Sequence, residues 1–456
     1  MARSASTGPL PALDPGIQGA GPVAPPVGVV IDCDIAEGLP AVVAPHSSAR
    51  ALILVRIFGE PLGLLAKPLT ASGLAPDDLA SVIVNDLGQL LEARFAECGL
   101  AWDGHLPTDG LRPPRVPGFL QGRERALREG PAITATVCTR GRPESLTRLL
   151  DSLCPQDYPR MRVLVVDNAP TDDRTRQAVL AAQDKHGVDI DYVVEPRPGL
   201  SWARNRAIES ADGEVIAWVD DDERCDPWWA TEIARGFVEV PEADGVTGII
   251  IPGEIATKSQ EWFEEFSGVR RGRGFAPAVF SPATARAQSP LYPLPPFGAG
   301  GNMALRRAVL KEVGGFDCAL GAGTVTCGGE DSAMLSTLMM RGGTIVYQPS
   351  AVVHHYHRRD YDTLLRHLEG YGRGLTAYYA SMLANQPGGP VRFLRASGDA
   401  ARNHLSRRGD RHGDVSHDFP RELLRANRKG ALRGWFAYPV ARVRASRMRR
   451  ADWAGA

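Results

Sequence analysis

Asp220, Asp221 and Asp222 stand side by side directly after the apolar run "VIAWV" at 215–219. Carboxylates this close oppose one another's ionisation unless a cation or hydrogen-bond donors compensate, so the cluster is a candidate for holding a divalent metal. A solvated Asp-rich turn is the competing reading. Elsewhere the chain lacks the usual devices for gripping phosphate. The turn after the first strand of the alternating region reads "CTRGRPES", where the single Gly141 cannot supply a GxGxxG loop, and no "GKS" or "GKT" occurs. A divalent ion on Asp220 and Asp222 would instead neutralise a diphosphate.

The elements that position these residues follow from the periodicity. From Ala132 the sequence alternates short apolar strands with helices of about a dozen residues: "ITATVC", a helix led by Pro143, "RVLVVDN", a helix from Asp172, "IDYVVEP", a helix from Ser201, then "EVIAWVDDD". That alternation specifies an α/β fold whose parallel sheet is covered on both faces. Ligands in such sheets bind beyond the carboxyl ends of the strands. "TVCTRGRPE", "VVDNAPTDD", "VVEPRPGLS" and "WVDDDERCD" are all such ends, so the triple aspartate lies on the face where a site is expected.

Around this core the expected organisation is a disordered tail over 1–26, a small α+β unit over 27–100, a Pro/Gly/Arg-rich linker over 101–130, the alternating domain over 131–358 and a helical, basic extension over 359–456. "RALILVRIFGEPLGLLAKPL" predicts a hairpin, and "PDDLASVIVNDLGQLLEARFAECG" a helix behind an Asp cap. Residues 252–296 are Pro-, Ala- and Gly-rich, with little periodicity, and are expected to be a mobile substrate loop. Within 419–450, Gly430, Gly434 and Pro439 are expected to spoil a continuous amphipathic face, which favours packing or peripheral contact over stable anchoring.

With 52 Lys and Arg against 53 Asp and Glu, the 456-residue chain is no polycation seeking nucleic acid. Seven scattered cysteines, none spaced C-x-x-C, argue against a disulfide framework or structural zinc and point to a reducing cytoplasm. No signal or transit pattern is expected at the start, and the most apolar window is interrupted by Arg56, Glu60 and Pro61, too polar for a membrane span.

Five stretches, in order, resemble the family 2 glycosyltransferases: "ITATVCTRGRPESLTRLLDSLCPQDYP", "VLVVDN", "PGLSWARNRAIESADGEVIAWVDDDE", "GAGGNMALRRAVLKEVGGFD" and "GGEDSAMLSTLMMRGG". The match covers roughly 130–360 and implies a GT-A fold, a mostly parallel sheet flanked by helices. It implies a nucleotide-sugar donor, UDP-, GDP- or dTDP-linked, lying against Thr139, Arg140, Asp167, Arg204, Asn205, Asp220 and Asp221. It also implies Mg²⁺ or Mn²⁺ held by Asp222 and Asp220, with His355 or His354 of "HHYH" a candidate third ligand. Asp331 takes the place of the catalytic base and Glu330 that of its support, although by position alone Asp331 is a natural helix cap.

Chemistry and resemblance agree, since displacing a nucleoside diphosphate from an anomeric carbon needs charge stabilisation on the leaving group and a base for the acceptor hydroxyl. The function this implies is metal-dependent, inverting transfer of a single sugar to a hydroxyl, in cell-envelope glycan, glycolipid or secondary-metabolite synthesis. The Gln-x-x-Arg-Trp motif of processive synthases is absent. The expected setting is cytoplasmic, with possible contact between the basic tail and an anionic membrane at its inner face. A nucleotidyltransferase, which would release pyrophosphate, and a non-catalytic sugar-binding protein are the alternatives.

Overall fold

The computed structural model describes residues 8–9, 26–46, 49–267, 274–285, 298–386, 391 and 418–455. The expected tail over 1–26 lies almost wholly outside them.

The amino-terminal unit is built from β1 (Gly28–Asp34), β2 (Arg50–Ile57), β3 (Glu60–Pro68) and α1 (Pro76–Cys98), with Gly8–Pro9 as a two-residue edge. Strands β1 and β2 run parallel, and β2 and β3 form the expected hairpin. Its turn needs positive φ at both Phe58 (51°) and Gly59 (80°), an unusual conformation for phenylalanine. The buried Asp34 carboxylate holds it there by accepting from the Phe58 and Gly59 backbone N–H groups at 3.0 and 2.6 Å. Helix α1 has Ala75, not an aspartate, as its N-cap; Asp77 and Asp78 fall one step later, in the first turn behind Pro76, where they complement the helix dipole, and the helix stops at Gly99, φ 72°. Leu79, Ile83, Leu91 and Phe95 on its inner face close the core against Ile53, Val55 and Ile57.

The segment expected as a linker contains α2 (Gln121–Glu129). Sequence reasoning misses it because "QGRERALRE" is short and mostly charged.

The large domain follows: β4 (Ile133–Thr139), α3 (Pro143–Leu153), β5 (Met161–Asn168), α4 (Arg174–His186), β6 (Ile190–Glu195), α5 (Leu200–Ser210), β7 (Val215–Asp220), β8 (Glu223–Cys225), α6 (Trp229–Glu239), β9 (Gly245–Pro252), α7 (Lys258–Ser267), β10 (Ala278–Phe280), a one-turn helix α8 (Pro282–Ala285), β11 (Asn302–Arg306), α9 (Arg307–Val313), α10 (Glu330–Met340) and β12 (Ile345–His355). The sheet order is β10-β12-β9-β11-β7-β4-β5-β6, with β8 on β12. Strands β7, β4, β5 and β6 are parallel, and β11 enters antiparallel between β7 and β9. This is the helix-flanked α/β sheet that the alternation predicted, with a parallel part over β7, β4, β5 and β6, while antiparallel β11, β10 and β8 make the whole sheet mixed. Helix α2 belongs to it, because Arg123 Nε donates to the buried Glu232 of α6 at 2.7 Å.

Part of 252–296 is regular, which corrects the expectation of a structureless loop. Helix α7 buries Phe263 beside His357, and Gln260 Oε1 accepts from Ala256 N at 2.7 Å, securing the helix start. Residues 268–273 and 286–297, the rest of that proposed mobile loop, lie outside the described residues.

Two long helices complete the chain, α11 (Tyr361–Asn385), capped by Asp360 Oδ1 accepting from Thr363 N at 2.7 Å, and α12 (Arg421–Gly455). They pack through small residues. A Cβ on Gly372 would stand 1.9 Å from Asn427 O, and one on Gly430 1.9 Å from Glu369 O, so only glycine permits this approach. Contrary to the sequence expectation, Pro439 lies inside α12 without ending it. The seven cysteines are unpaired. Among the described residues no helix is long and apolar enough to cross a membrane.

Candidate active site

The three aspartates occupy the carboxyl end of β7 and the turn into β8, and each meets different partners. Asp221 is buried and turns back across the sheet, accepting from Thr139 Oγ1 at 2.7 Å and from Arg142 Nη1 at 2.8 Å. Asp222 meets Arg142 Nη1 at 3.2 Å, Arg358 Nη2 at 3.4 Å and His355 Nε2 at 3.3 Å. Asp220 faces Arg204, with Nη2 3.9 Å from its Oδ1, and its backbone N–H donates to buried Glu223 at 2.9 Å. Three guanidinium groups and the His355 imidazole thus face the carboxylates and offset the mutual repulsion that the sequence posed as a problem.

The electrostatic consequences differ along the run. Burial pushes Asp220 up to about 6 against the pull of Arg204. Burial and the neighbouring Asp222 also raise Asp221, opposed by Arg142 and Thr139. At Asp222 burial acts upward too, but His355, Arg142 and Arg358 outweigh it and hold the carboxyl well below the usual range. The same contact keeps His355 above its ordinary value despite burial.

Asp331 approaches from the other side of the cleft. Gly329, φ 92°, is the residue before α10, so Asp331 is not the helix's N-cap. Its Oδ2 accepts from Gly300 N at 2.8 Å and its Oδ1 from Ser332 N at 2.6 Å, which fixes the carboxylate in place. Arg204, only 2% exposed, links the two sides by reaching Glu330 Oε1 at 3.3 Å and Gly300 O at 3.2 Å. The "GAGG" glycines make this possible. A Cβ on Gly300 would lie 2.7 Å from Arg204 Nη2, and one on Gly301 2.5 Å from Glu223 Oε1.

Glu330 is buried, and desolvation raises its carboxyl to about 7, with Arg204 opposing and Asp331 reinforcing. The folded protein therefore holds this proton more tightly than the unfolded chain. Stability from Glu330 is complete below its ordinary value of 4.5 and declines as pH rises towards about 7. Glu330→Gln is expected to flatten the decline of melting temperature between those limits, and equal slopes in wild type and variant would contradict this.

The other expected residues divide clearly. Asp167 ends β5 fully buried, accepts from Tyr192 OH at 2.7 Å and is raised by burial. Arg140 is exposed beside Gly323, whereas Arg142, two residues on, contacts the aspartates. Asn205 is a structural bracket, accepting from Phe316 N at 2.7 Å and donating to Phe316 O at 2.9 Å. His354 and His355 point to opposite faces of β12, as strand alternation requires. His354 Nε2 lies 3.9 Å from Asp32 of the amino-terminal unit, which leaves His355 as the histidine at the aspartates. Sequence reasoning missed Arg142, Glu223 and Arg358. For Arg142 and Glu223 the signal was their place in strand-end turns, while Arg358 gave no local one.

Asp222 Oδ1 and His355 Nε2 are a hard oxygen and an imidazole nitrogen at a separation one divalent ion can span, so this pair fits Mg²⁺ or Mn²⁺. Asp220 does not join them in a compact trio. Among the described residues the only group of three or more candidate ligands within 4.8 Å of one another is Asp32, Asp226 and His354. There Arg56 already lies between the carboxylates, 2.6 Å from Asp32 and 2.8 Å from Asp226.

Comparison with known proteins agrees with the resemblance in the sequence. Residues 134–314 match the model of glycosyl transferase family 2. The glucosyl-dolichyl phosphate glucuronosyltransferase of Haloferax volcanii is 28% identical over 193 residues, which are 41% of this chain and 56% of that protein. The succinoglycan biosynthesis protein ExoM of Rhizobium meliloti is 29% identical over 228 residues, 49% of this chain and 66% of that one. The chain thus spans less than two thirds of the length of either. A mannosyltransferase structure from Pyrobaculum calidifontis, in complex with GDP-Man and Mn2+, is 16% identical, with a TM-score of 0.43 over 79% of this chain and 99% of that one, a likeness too loose to place any residue. The strand-end aspartates, the "GED" helix start and the matched model agree, and residues 134–314 form a domain that is similar to glycosyl transferase family 2.

Proposed function

We propose that the chain transfers a single sugar from a nucleoside-diphosphate donor to an acceptor hydroxyl, with inversion and with a divalent metal. The observation that carries this is the opposition of two differently prepared carboxylates. Asp222 is kept ionised among cations, while Asp331 is fixed by backbone N–H groups near the same buried arginine. Nucleotide contacts fall to Thr139, Asp167 and Asp221 at the strand ends, with Arg140 at the rim. Asp222 and His355 would hold the metal, with Asp220 adjacent. Bound there, Mg²⁺ or Mn²⁺ supplies positive charge to the donor's diphosphate.

In the transfer the bond between the anomeric carbon and the diphosphate oxygen breaks, and that oxygen keeps the electron pair. The acceptor oxygen forms the new bond from the opposite side, and its proton passes to an Asp331 carboxylate oxygen. Buried Arg204 holds Glu330 and the Gly300 carbonyl in register, so the base stays aimed without reorganising in the transition state. Donor base, sugar and acceptor are set by loop contacts. Envelope glycan, glycolipid and secondary-metabolite acceptors all carry the required hydroxyl, and the names of the two relatives, one lipid-phosphate-linked and one polysaccharide-related, favour the first two.

Thermal melting with UDP, GDP, dTDP and CDP, each with Mn²⁺ or with chelator, tests the reading. One nucleotide is expected to stabilise the wild type only with metal, by about 2.7 kcal/mol at a hundredfold excess over its dissociation constant. Asp222→Ala is expected to abolish the shift. If no nucleotide raises the melting temperature, the proposal fails.

A further inference from the structure

Helix α12 presents two unlike faces. The inner face carries Gly430 and Gly434 against α11, where a Cβ would meet Glu369 O at 1.9 Å and Arg373 O at 2.2 Å. Gly430 and Gly434, which seemed to break an amphipathic pattern, are therefore part of a helix–helix seam, and the exposed Pro439 falls on the apolar outer face. On that outer face Leu432 (73% exposed), Phe436 (78%), Val440 (49%) and Val443 (52%) form an apolar ridge. Their spacing of four, four and three residues aligns them along one side, over about 16 Å of axis.

The charges beside this ridge share one sign. Arg425 and Arg428 precede it, and Arg447 and Arg450 follow it, at spacings that keep them on the same exposed side. Glu422 is the single acidic residue between 421 and 450. Arg433 and Lys429 are neutralised by Glu369 of α11, but the bracketing arginines have no ion pair among the described residues. A ridge of exposed leucine, phenylalanine and valines is costly in water unless something covers it. Nucleic acid would satisfy the arginines and leave the ridge wet, whereas a second copy would bring like charges together. An anionic bilayer satisfies both, with the ridge entering the acyl boundary and the arginines meeting headgroup phosphates.

We infer that the outer face of α12 docks on an anionic lipid surface. The face lies close to the chemistry, for α11 alone separates α12 from α10, where Tyr378 OH and Ser336 Oγ are 2.7 Å apart and Gly329 abuts Gly374 O. Docking there would hold the "GED" helix near the membrane, where an acceptor on a lipid carrier would be presented. The inference concerns the surface and does not depend on which donor is used.

Co-sedimentation of the full chain with vesicles tests it. Binding is expected to phosphatidylcholine vesicles that contain phosphatidylglycerol, not to phosphatidylcholine alone, and to weaken as salt is raised. The triple variant Leu432→Ser, Phe436→Ser, Val440→Ser is expected to lose at least about tenfold in binding, and so is the pair Arg425→Glu, Arg447→Glu. All five positions are exposed, so the melting temperature should stay unchanged, and Phe436→Ser alone serves if the triple variant does not fold. Failure of the wild type to bind anionic vesicles overturns the proposal. So does retention by the serine variant with equal binding to heparin, which identifies a polyanion site. A wild-type dimer that the serine variant makes monomeric would assign the face to a second copy.

Discussion

Asp331→Asn is expected to lower turnover by about 10²–10⁴-fold, the usual contribution of a positioned general base, while leaving the metal-dependent nucleotide stabilisation intact. Asparagine keeps the shape, and its carbonyl oxygen can still accept from Gly300 N, which Asp331 engages at 2.8 Å. It cannot take the acceptor's proton. Asp222→Ala is expected to lose both turnover and nucleotide stabilisation, because it removes the carboxylate that meets His355, Arg142 and Arg358 together. Release of nucleoside diphosphate, followed in parallel with melting, separates the two effects. An Asp331→Asn enzyme within tenfold of wild type would remove Asp331 from the role of base, and an Asp222→Ala protein still stabilised by nucleotide would move the metal elsewhere.

The other large effect concerns stability. Arg56 has no exposed surface, yet it belongs to the amino-terminal unit and reaches both Asp32 of that unit, at 2.6 and 2.9 Å, and Asp226 of the large domain, at 2.8 Å. It also donates to Gly59 O at 3.2 Å and so joins the hairpin turn to the same network. His354 stands alongside, pushed down to about 4 by burial, and therefore adds no positive charge at neutral pH. Arg56→Met would leave two buried carboxylates without their counter-charge. Breaking a buried pair in this way costs about 3–5 kcal/mol, which denaturant titration would read directly. The uncompensated carboxylates would bind protons more tightly in the folded state, so the loss should be greater at pH 8 than at pH 5. A loss below about 1 kcal/mol, the scale of an exposed pair, would show that water reaches the network. Because Asp226 follows Asp222 by one short strand, a fall in turnover beyond that explained by unfolding would show that the amino-terminal unit also steadies the aspartate turn.

Local pattern was enough to locate most elements. Pro143 to Leu153 and Tyr361 onwards emerge as helices at the expected residues, because a proline or an Asp cap starts each and helical periodicity carries it. The triple aspartate falls at a strand end because the apolar run before it stops there. Two helices were obscured for opposite reasons. Residues 121–129 are charged almost throughout, and α7 lies in a stretch whose composition resembles a loop. Each is stabilised by partners distant in sequence, Glu232 for Arg123 and His357 for Phe263, which no local window contains.

By itself, then, the sequence determined the alternation of strands and helices, the face of the sheet on which a site must lie and the carboxylates available to it, because periodicity and strand ends are properties of neighbouring residues. Only the tertiary structure decided among near neighbours. It selected Arg142 over Arg140, placed His355 and not His354 at the aspartates, turned Asp221 into a brace for Thr139 and committed Asn205 to a backbone turn. It also turned Gly430 and Gly434 inward and left the opposite face of their helix open. The reason is geometric. One step along a strand reverses the side a residue faces and one step along a helix rotates it by about 100°, and which side meets the site depends on what packs there from elsewhere in the chain.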